Sequence, residues 1–350
     1  MKRVLIVGSA EQSRGGVSSV IRLMKKMPVW EKYQCYWLGT QIQRNYAWKL
    51  WYAIKGNFLA LCIILRYSIV HMHTTPDKLG LIIQLPILFL AKVLRRKVVL
   101  HLHVGNQLKT KKNSLFVFCL KRADIIILLA NRWKTLFCEY YPMVNTPTKV
   151  IYNACEKVEE VEFAEKENII IMAVYFDDNK APDILLKAWY IIKDCYPEWK
   201  VILMGNGDVE KFQRMADEMG MSDSVCFPGY LTGIEKENVW RKASIYCMCS
   251  YEEGFPMVVL EAWMYGANVV TTPVGGLPDV IEEGRNCMTY DFGDYKALAD
   301  CLRILMDNPE RRKEMAVYSR QFVEEHFGMV KINERFEELF DSLNIDGVMD

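Results

Sequence analysis

Acidic residues are scarce in the first half of this chain. Residues 1–155 hold five Asp/Glu against 24 Lys/Arg, a net charge of +19. Residues 156–350 hold 38 against 20, a net of −18, so the whole-chain value of +1 conceals a division. A half this basic exceeds what solubility requires and points to an anionic partner: nucleic acid, a membrane surface or phosphates. Paired metal-ligand spacing is also missing. The 11 cysteines form no CxxC pair and no Cys/His pattern, which argues against zinc and reads them as reduced core thiols of a cytosolic protein. The N-terminus MKRVLIVGSA carries a basic pair, but its apolar run ends after four residues, the pattern of a buried strand rather than a signal peptide. No apolar run reaches the roughly 20 residues that span a bilayer. Low-complexity tracts and internal repeats are absent too.

What is present is alternation. Residues 3–8, 34–39, 68–73, 97–103, 124–130 and 149–154 are short β-branched runs separated by helix-length stretches. A charged break, CEKVEEVEFAEKE (155–167), follows, and the alternation restarts at 168–175, 200–205, 224–230, 244–250, 268–273 and 287–291. Near-continuous apolar strands of this kind suit parallel sheets covered on both faces. The expectation is two doubly wound α/β domains facing a cleft, spanning residues 1–155 and 156–328. A helix over 329–350 is expected to pack back on the first.

One stretch resists a purely structural reading. YEEGFPMVVLEAWMYG (251–266) places Glu253 just past a strand and Glu261 inside an apolar helix. Ligands of doubly wound sheets sit at strand carboxyl ends. Gly254 permits a tight turn, Pro256 fits a first helical turn, and a helix starting near Met257 aims free N–H groups at an anion. A buried carboxylate at 261 costs several kcal/mol, roughly, unless donors satisfy it. Hydroxyls of a ligand would be such donors. The plainer alternative is two ordinary acidic residues near a helix start.

Residues 244–284, with EGFP, EAWMYG and VGGLPDVI, resemble the retaining glycosyltransferases of GT-B fold in the large family numbered four, whose hallmark is E-x7-E. Trp263 and Asp279 depart from that pattern. GGVSSVI (15–21), HLHVG (101–105), IYNACE (151–156), ILMGNGD (202–208) and VCFPGYL (225–231) extend the resemblance along the chain. It implies that Glu253 faces the transferred sugar and that Glu261 binds the ribose diol. Gly254, Phe255, Pro256, Met257 and Val258 then hold sugar hydroxyls and the distal phosphate, with Gly205 and Tyr230 on the base side. Gly15 and Gly16 let backbone approach the diphosphate, and His103 hydrogen-bonds the sugar near the leaving group. Lys180 pairs the diphosphate. The arginine usual five or six residues before it is replaced by Val174 and Tyr175, and the following glycine by Ala181; Arg14 or Arg132 could substitute for the missing cation. His73 and Asn106 are assigned to the acceptor side. His71 and His101 read as core histidines.

The resemblance implies retaining transfer from a nucleotide-diphospho-sugar, without cofactor or catalytic metal. The acceptor is a glycan, expected to be lipid-linked, in cell-surface polysaccharide synthesis. Residues 44–66, 88–97 and 109–122 interleave Trp, Tyr and Lys with apolar residues, which suits peripheral contact with anionic lipid at the inner face of the cell membrane. No nucleic-acid module is recognisable, so nucleic acid is not expected as partner. The alternatives are a catalytically weak GT-B scaffold or regulatory protein, and a sugar-nucleotide epimerase.

Overall fold

The computed structural model describes residues 2–13, 15–42, 44–110 and 113–343. The chain divides into two compact units. One is Met1–Ala154 with Met329–Asp350; the other is Cys155–Gly328.

The first unit runs β1 (Val4–Ser9), α1 (Gly16–Lys25), α2 (Pro28–Lys32), β2 (Tyr36–Gln41), α3 (Tyr46–Ile63), β3 (Ile69–Thr74), α4 (Lys78–Val93), β4 (Lys97–Leu102), α5 (Gln107–Thr110), α6 (Ser114–Arg122), β5 (Ile125–Leu128), α7 (Asn131–Tyr140) and β6 (Thr148–Val150). The second runs β7 (Glu167–Phe176), α8 (Pro182–Tyr190), β8 (Lys200–Gly207), α9 (Val209–Glu218), β9 (Val225–Gly229), α10 (Gly233–Lys242), β10 (Ala243–Met248), α11 (Met257–Met264), β11 (Asn268–Thr271), β12 (Cys287–Thr289), α12 (Tyr295–Met306) and α13 (Pro309–Phe327). Helix α14 (Met329–Ser342) returns to the first unit.

Among the described residues each unit has one six-stranded sheet, ordered β2-β1-β3-β4-β5-β6 and β12-β11-β10-β7-β8-β9. All pairings are parallel. The central strands are apolar throughout because both faces are covered: Val4, Leu5, Ile6 and Val7 of β1 have no exposed surface. In the first unit α14 closes one face. Its Ile332, Phe336, Leu339 and Phe340 join Val4, Ile6, Ile69 and Val99 in one core. Asn333 Oδ1 accepts from the Val29 amide at 2.7 Å, and Lys2 Nζ donates to the Phe340 carbonyl at 2.9 Å. In the second unit Trp189, Trp199, Ile170, Leu203 and Leu302 share the core.

Three sequence expectations need correction. With its closing 3-10 turn, α3 extends over Tyr46–Arg66, 21 residues whose best 18-residue window has a mean hydropathy of 1.3. By length and composition it could cross a membrane, which the sequence reading denied. The helix continues through Lys49, Lys55 and Asn57. Second, the cysteines are not uniformly core residues. Cys62, Cys138, Cys195 and Cys226 are exposed, although all 11 are free thiols. Third, Pro256 lies at the N-cap of α11 rather than in its first turn.

Gly205 has a structural reason of its own. Its φ of +152° belongs to a region side chains rarely enter, and a Cβ there would lie 1.7 Å from the Val174 carbonyl oxygen. Gly205→Ala should therefore destabilise the second unit by roughly 2–4 kcal/mol, as strained core substitutions do. Urea unfolding followed by tryptophan fluorescence measures it, and an unchanged midpoint would contradict the close approach of β7 to β8.

Candidate active site

Strand order places the chemistry of the second unit. From β7 the chain moves outward through β8 and β9, then returns to lay β10 along the other side of β7. The loops after β7 and β10 thus leave the carboxyl ends of adjacent strands in opposite directions, which opens a crevice between them. The first loop carries Lys180 and the second Glu253. Lys180 Nζ pairs directly with Glu253 Oε1, and Ser250 Oγ donates to the same oxygen at 2.8 Å. The pair is mostly sequestered, with side-chain exposures of 22% and 15%.

Neighbouring groups fix this arrangement. The Lys180 amide donates to Asp177 Oδ1 at 2.9 Å. Asn179 binds the second loop three ways. Its carbonyl accepts from the Tyr251 amide at 2.7 Å, its Nδ2 donates to the Glu252 carbonyl at 3.1 Å, and its Oδ1 accepts from the Glu252 amide at 3.1 Å. From the far side Gly275, at φ +69°, lies so close that a Cβ there would be 2.9 Å from Glu253 Cβ. The Gly276 amide donates to the Gly254 carbonyl at 2.9 Å. Phe255 is buried against Phe327, with ring centroids 5.6 Å apart. Glu253 therefore projects from a braced loop.

Helix α11 starts at Met257, and the amides of Met257 and Val258 have no acceptor within the helix, while that of Val259 donates to the Pro256 carbonyl at 3.3 Å. Met257 and Val258 are half-buried there. Glu261 departs from the sequence expectation of an unsatisfied buried charge. Its side chain is 32% exposed, and Lys236 Nζ of α10 bridges both of its oxygens at 3.0 and 2.8 Å. A pair this exposed contributes about 0–1 kcal/mol to stability. Gly205 sits near the end of β8, and Tyr230 follows β9 with its side chain half-exposed.

The remaining candidates belong to the first unit. Gly15 caps α1 in extended backbone, and its amide donates to Ser18 Oγ at 3.3 Å, so it is already engaged rather than open to a diphosphate. A Cβ on Gly16 would meet nothing within 4 Å, so packing in this unit does not demand that glycine. Asn106 is half-buried, and its carbonyl accepts from the Lys109 amide at 2.8 Å. Arg14 lies outside the described residues, and Arg132 sets its guanidinium 6.0 Å from the Trp133 ring.

His71 and His73 of β3, His101 of β4 and His103 just past it form a stacked ladder. His73 pairs with His101 across the two strands. His71 Nε2 meets His101 Nδ1 at 3.3 Å, and His73 Nδ1 meets His103 Nε2 at 2.8 Å. His73 is 2% exposed. That places it behind His103, where it orients the ring, and not on an acceptor-facing surface as expected. Only His103, past the end of β4, reaches partial exposure. Ring nitrogens of His71, His73 and His101 lie within 4.8 Å of one another, the one donor set among the described residues with metal-ligand spacing.

Four participants were not identified from the sequence: Asn179, Ser250, Lys236 and Gly275. Asn179, Lys236 and Gly275 act across 22 or more residues of chain, whereas Ser250 stands three residues before Glu253.

Burial pushes His71 down to about 3 and His103 to about 4, and lowers His73 and His101 well below the ordinary value of 6.5. Between pH 6.5 and about 4 the unfolded chain binds protons that the folded ladder refuses, so stability must fall as pH falls through that window. Urea midpoints between pH 7 and 4.5 should drop, and the drop should shrink in His71→Leu; parallel profiles would contradict the neutral ladder. A second expectation concerns Ala181, held at φ 44° in the left-handed region. Ala181→Gly should stabilise the protein by about 1 kcal/mol by relieving that strain. A lower thermal midpoint would refute it.

Residues 155–322 match the family model described as glycosyl transferases group 1. An uncharacterised glycosyltransferase of Haemophilus influenzae is 29% identical over 217 residues, 61% of this chain and 60% of that protein. A Campylobacter jejuni α-1,4-N-acetyl-D-galactosaminyltransferase, named for a diNAcBac-PP-undecaprenol acceptor, is 26% identical over 188 residues, 52% of this chain and 51% of its own. The matches thus span half to three-fifths of these relatives. Among solved structures, Anabaena HepE in complex with UDP-glucose superposes with a TM-score of 0.77 at 18% identity, covering 98% of this chain and 100% of HepE. That likeness establishes the fold. The chain has the GT-B fold, and its residues 155–322 are similar to the group 1 glycosyl transferases.

Proposed function

We propose that this protein is a retaining glycosyltransferase. It moves a sugar from a nucleoside-diphosphate sugar to a glycan acceptor, lipid-linked, in cell-surface polysaccharide synthesis. The observation that carries this reading is the placing of Glu253 and Glu261 on either side of the start of α11. Glu253 accepts from sugar hydroxyls and Glu261 from the ribose diol, while the first-turn amides of α11 face the diphosphate. The UDP-glucose complex of HepE and the undecaprenol-linked acceptor named for the Campylobacter relative support the donor and acceptor classes.

In the proposed reaction the bond from the sugar's anomeric carbon to the phosphate oxygen breaks. A bond from the acceptor hydroxyl oxygen forms on the same face, and the hydroxyl proton passes to the departing phosphate. Helix amides and Lys180 stabilise the charge that leaves, so no metal or other cofactor is required. Lys180 has to turn from Glu253 toward the phosphates. Val174 and Tyr175 offer no second cation, and Tyr175 is exposed.

Peripheral attachment to anionic lipid belongs to the same reading. Residues 44–66 and 78–97 hold nine Lys/Arg and no Asp/Glu. Trp48, Trp51, Ile54, Phe58, Leu61 and Leu65 project from the α3 segment as exposed side chains, and Phe89 and Val93 from α4, which packs beside it. Apolar side chains among basic ones suit a surface that inserts shallowly between lipid headgroups.

Glu261→Ala should abolish binding of UDP, ADP or GDP in calorimetry with the fold intact. Glu253→Gln should spare that binding and lower turnover, and Lys180→Ala should impair both. A wild-type chain that binds none of these nucleotides would sink the transferase reading in favour of a scaffold. Sedimentation with phosphatidylglycerol vesicles should show binding that weakens with salt, since exposed charges are screened over about 8–10 Å. Equal binding to neutral vesicles would contradict it.

A further inference from the structure

Glu261 is the one charge in MVVLEAWM, and it does not stand alone. Lys236 reaches it from α10, contacting both carboxylate oxygens. Other cations of α10 turn elsewhere. Arg241 lies near Glu165 and Glu237, and Lys242 pairs with Glu167. The Lys236–Glu261 pair is too exposed to matter much for stability. Its geometry has a different consequence. The last torsion of a glutamate is soft, so an unpaired carboxylate rotates freely. A lysine lying across both oxygens fixes the carboxylate plane. It uses one lone pair on each oxygen and leaves the others for two adjacent hydroxyls. It also cancels a negative charge that would otherwise repel an approaching diphosphate.

We infer that Lys236 is the positioning residue of the donor site: it sets the orientation and charge of Glu261 so that a vicinal diol, the ribose of a nucleotide, is recognised. This rests on the donor-site reading above. It adds a residue in α10, and it predicts that Lys236 acts through the diol and not through the phosphates.

The test is calorimetry with UDP, ADP and GDP, each beside its 2′,3′-dideoxy counterpart, on wild type, Lys236→Met and Lys236→Arg. Lys236→Met should weaken the ribonucleotide that wild type binds by about tenfold, or roughly 1.4 kcal/mol. It should leave the dideoxy counterpart within about twofold, and Lys236→Arg should restore most of the ribonucleotide affinity. A matching thermal midpoint for Lys236→Met confirms that the fold is unaltered. Two outcomes overturn the inference while leaving the donor site standing. In one, Lys236→Met binds ribonucleotides like wild type. In the other, it weakens both ligand series equally, which would put the lysine on the phosphates. Wild type binding no nucleotide overturns the donor site itself, a separate and recognisable failure.

Discussion

The reversal of strand order beside β7 is the constraint on which the candidate site depends. Adjacent parallel strands whose connections depart in opposite directions leave their carboxyl-end loops facing one another with nothing between them. Lys180 and Glu253 are 73 residues apart in sequence, and that reversal makes them an ion pair. Asn179 and Gly275 hold the two loops in place, one by three hydrogen bonds and the other by having no side chain. Neither brace is chemical in itself. Both convert a flexible turn into a fixed position for a carboxylate.

Pairing is the second theme. Both carboxylates of the E-x7-E pattern are satisfied by lysines from other elements, so the ligand-free unit carries little uncompensated charge at this place. The cost of keeping these carboxylates half-buried is thereby kept small. The histidine ladder solves a related problem differently. Four imidazoles in an apolar core stay neutral and bond one another, and the outermost alone is partly exposed.

Much of the fold was legible. All 12 strands lie where β-branched runs predicted them, because parallel strands covered on both faces must be apolar along their whole length. The charged break at 155–167 coincides with the passage from one unit to the other, and apart from Cys155 none of its residues is buried. Helix α3 was less legible. The sequence shows no apolar run of spanning length there, whereas the helix carries Lys49, Lys55 and Gly56 within 18 continuous residues.

The site divides along a similar line. The sequence by itself determined the motif residues, since Glu253, the glycine after it, the start of α11 and Glu261 lie within one continuous stretch whose spacing is local. It also determined that Lys180 stands on the loop after the second unit's first strand. Only tertiary structure decided that Lys180 would meet Glu253, that Lys236 would satisfy Glu261, that His73 would lie behind His103, and that Gly205 answers to the Val174 carbonyl. A contact between residues far apart in sequence is set by strand order and register. Those follow from the packing of the whole sheet, and no window of neighbouring residues contains them.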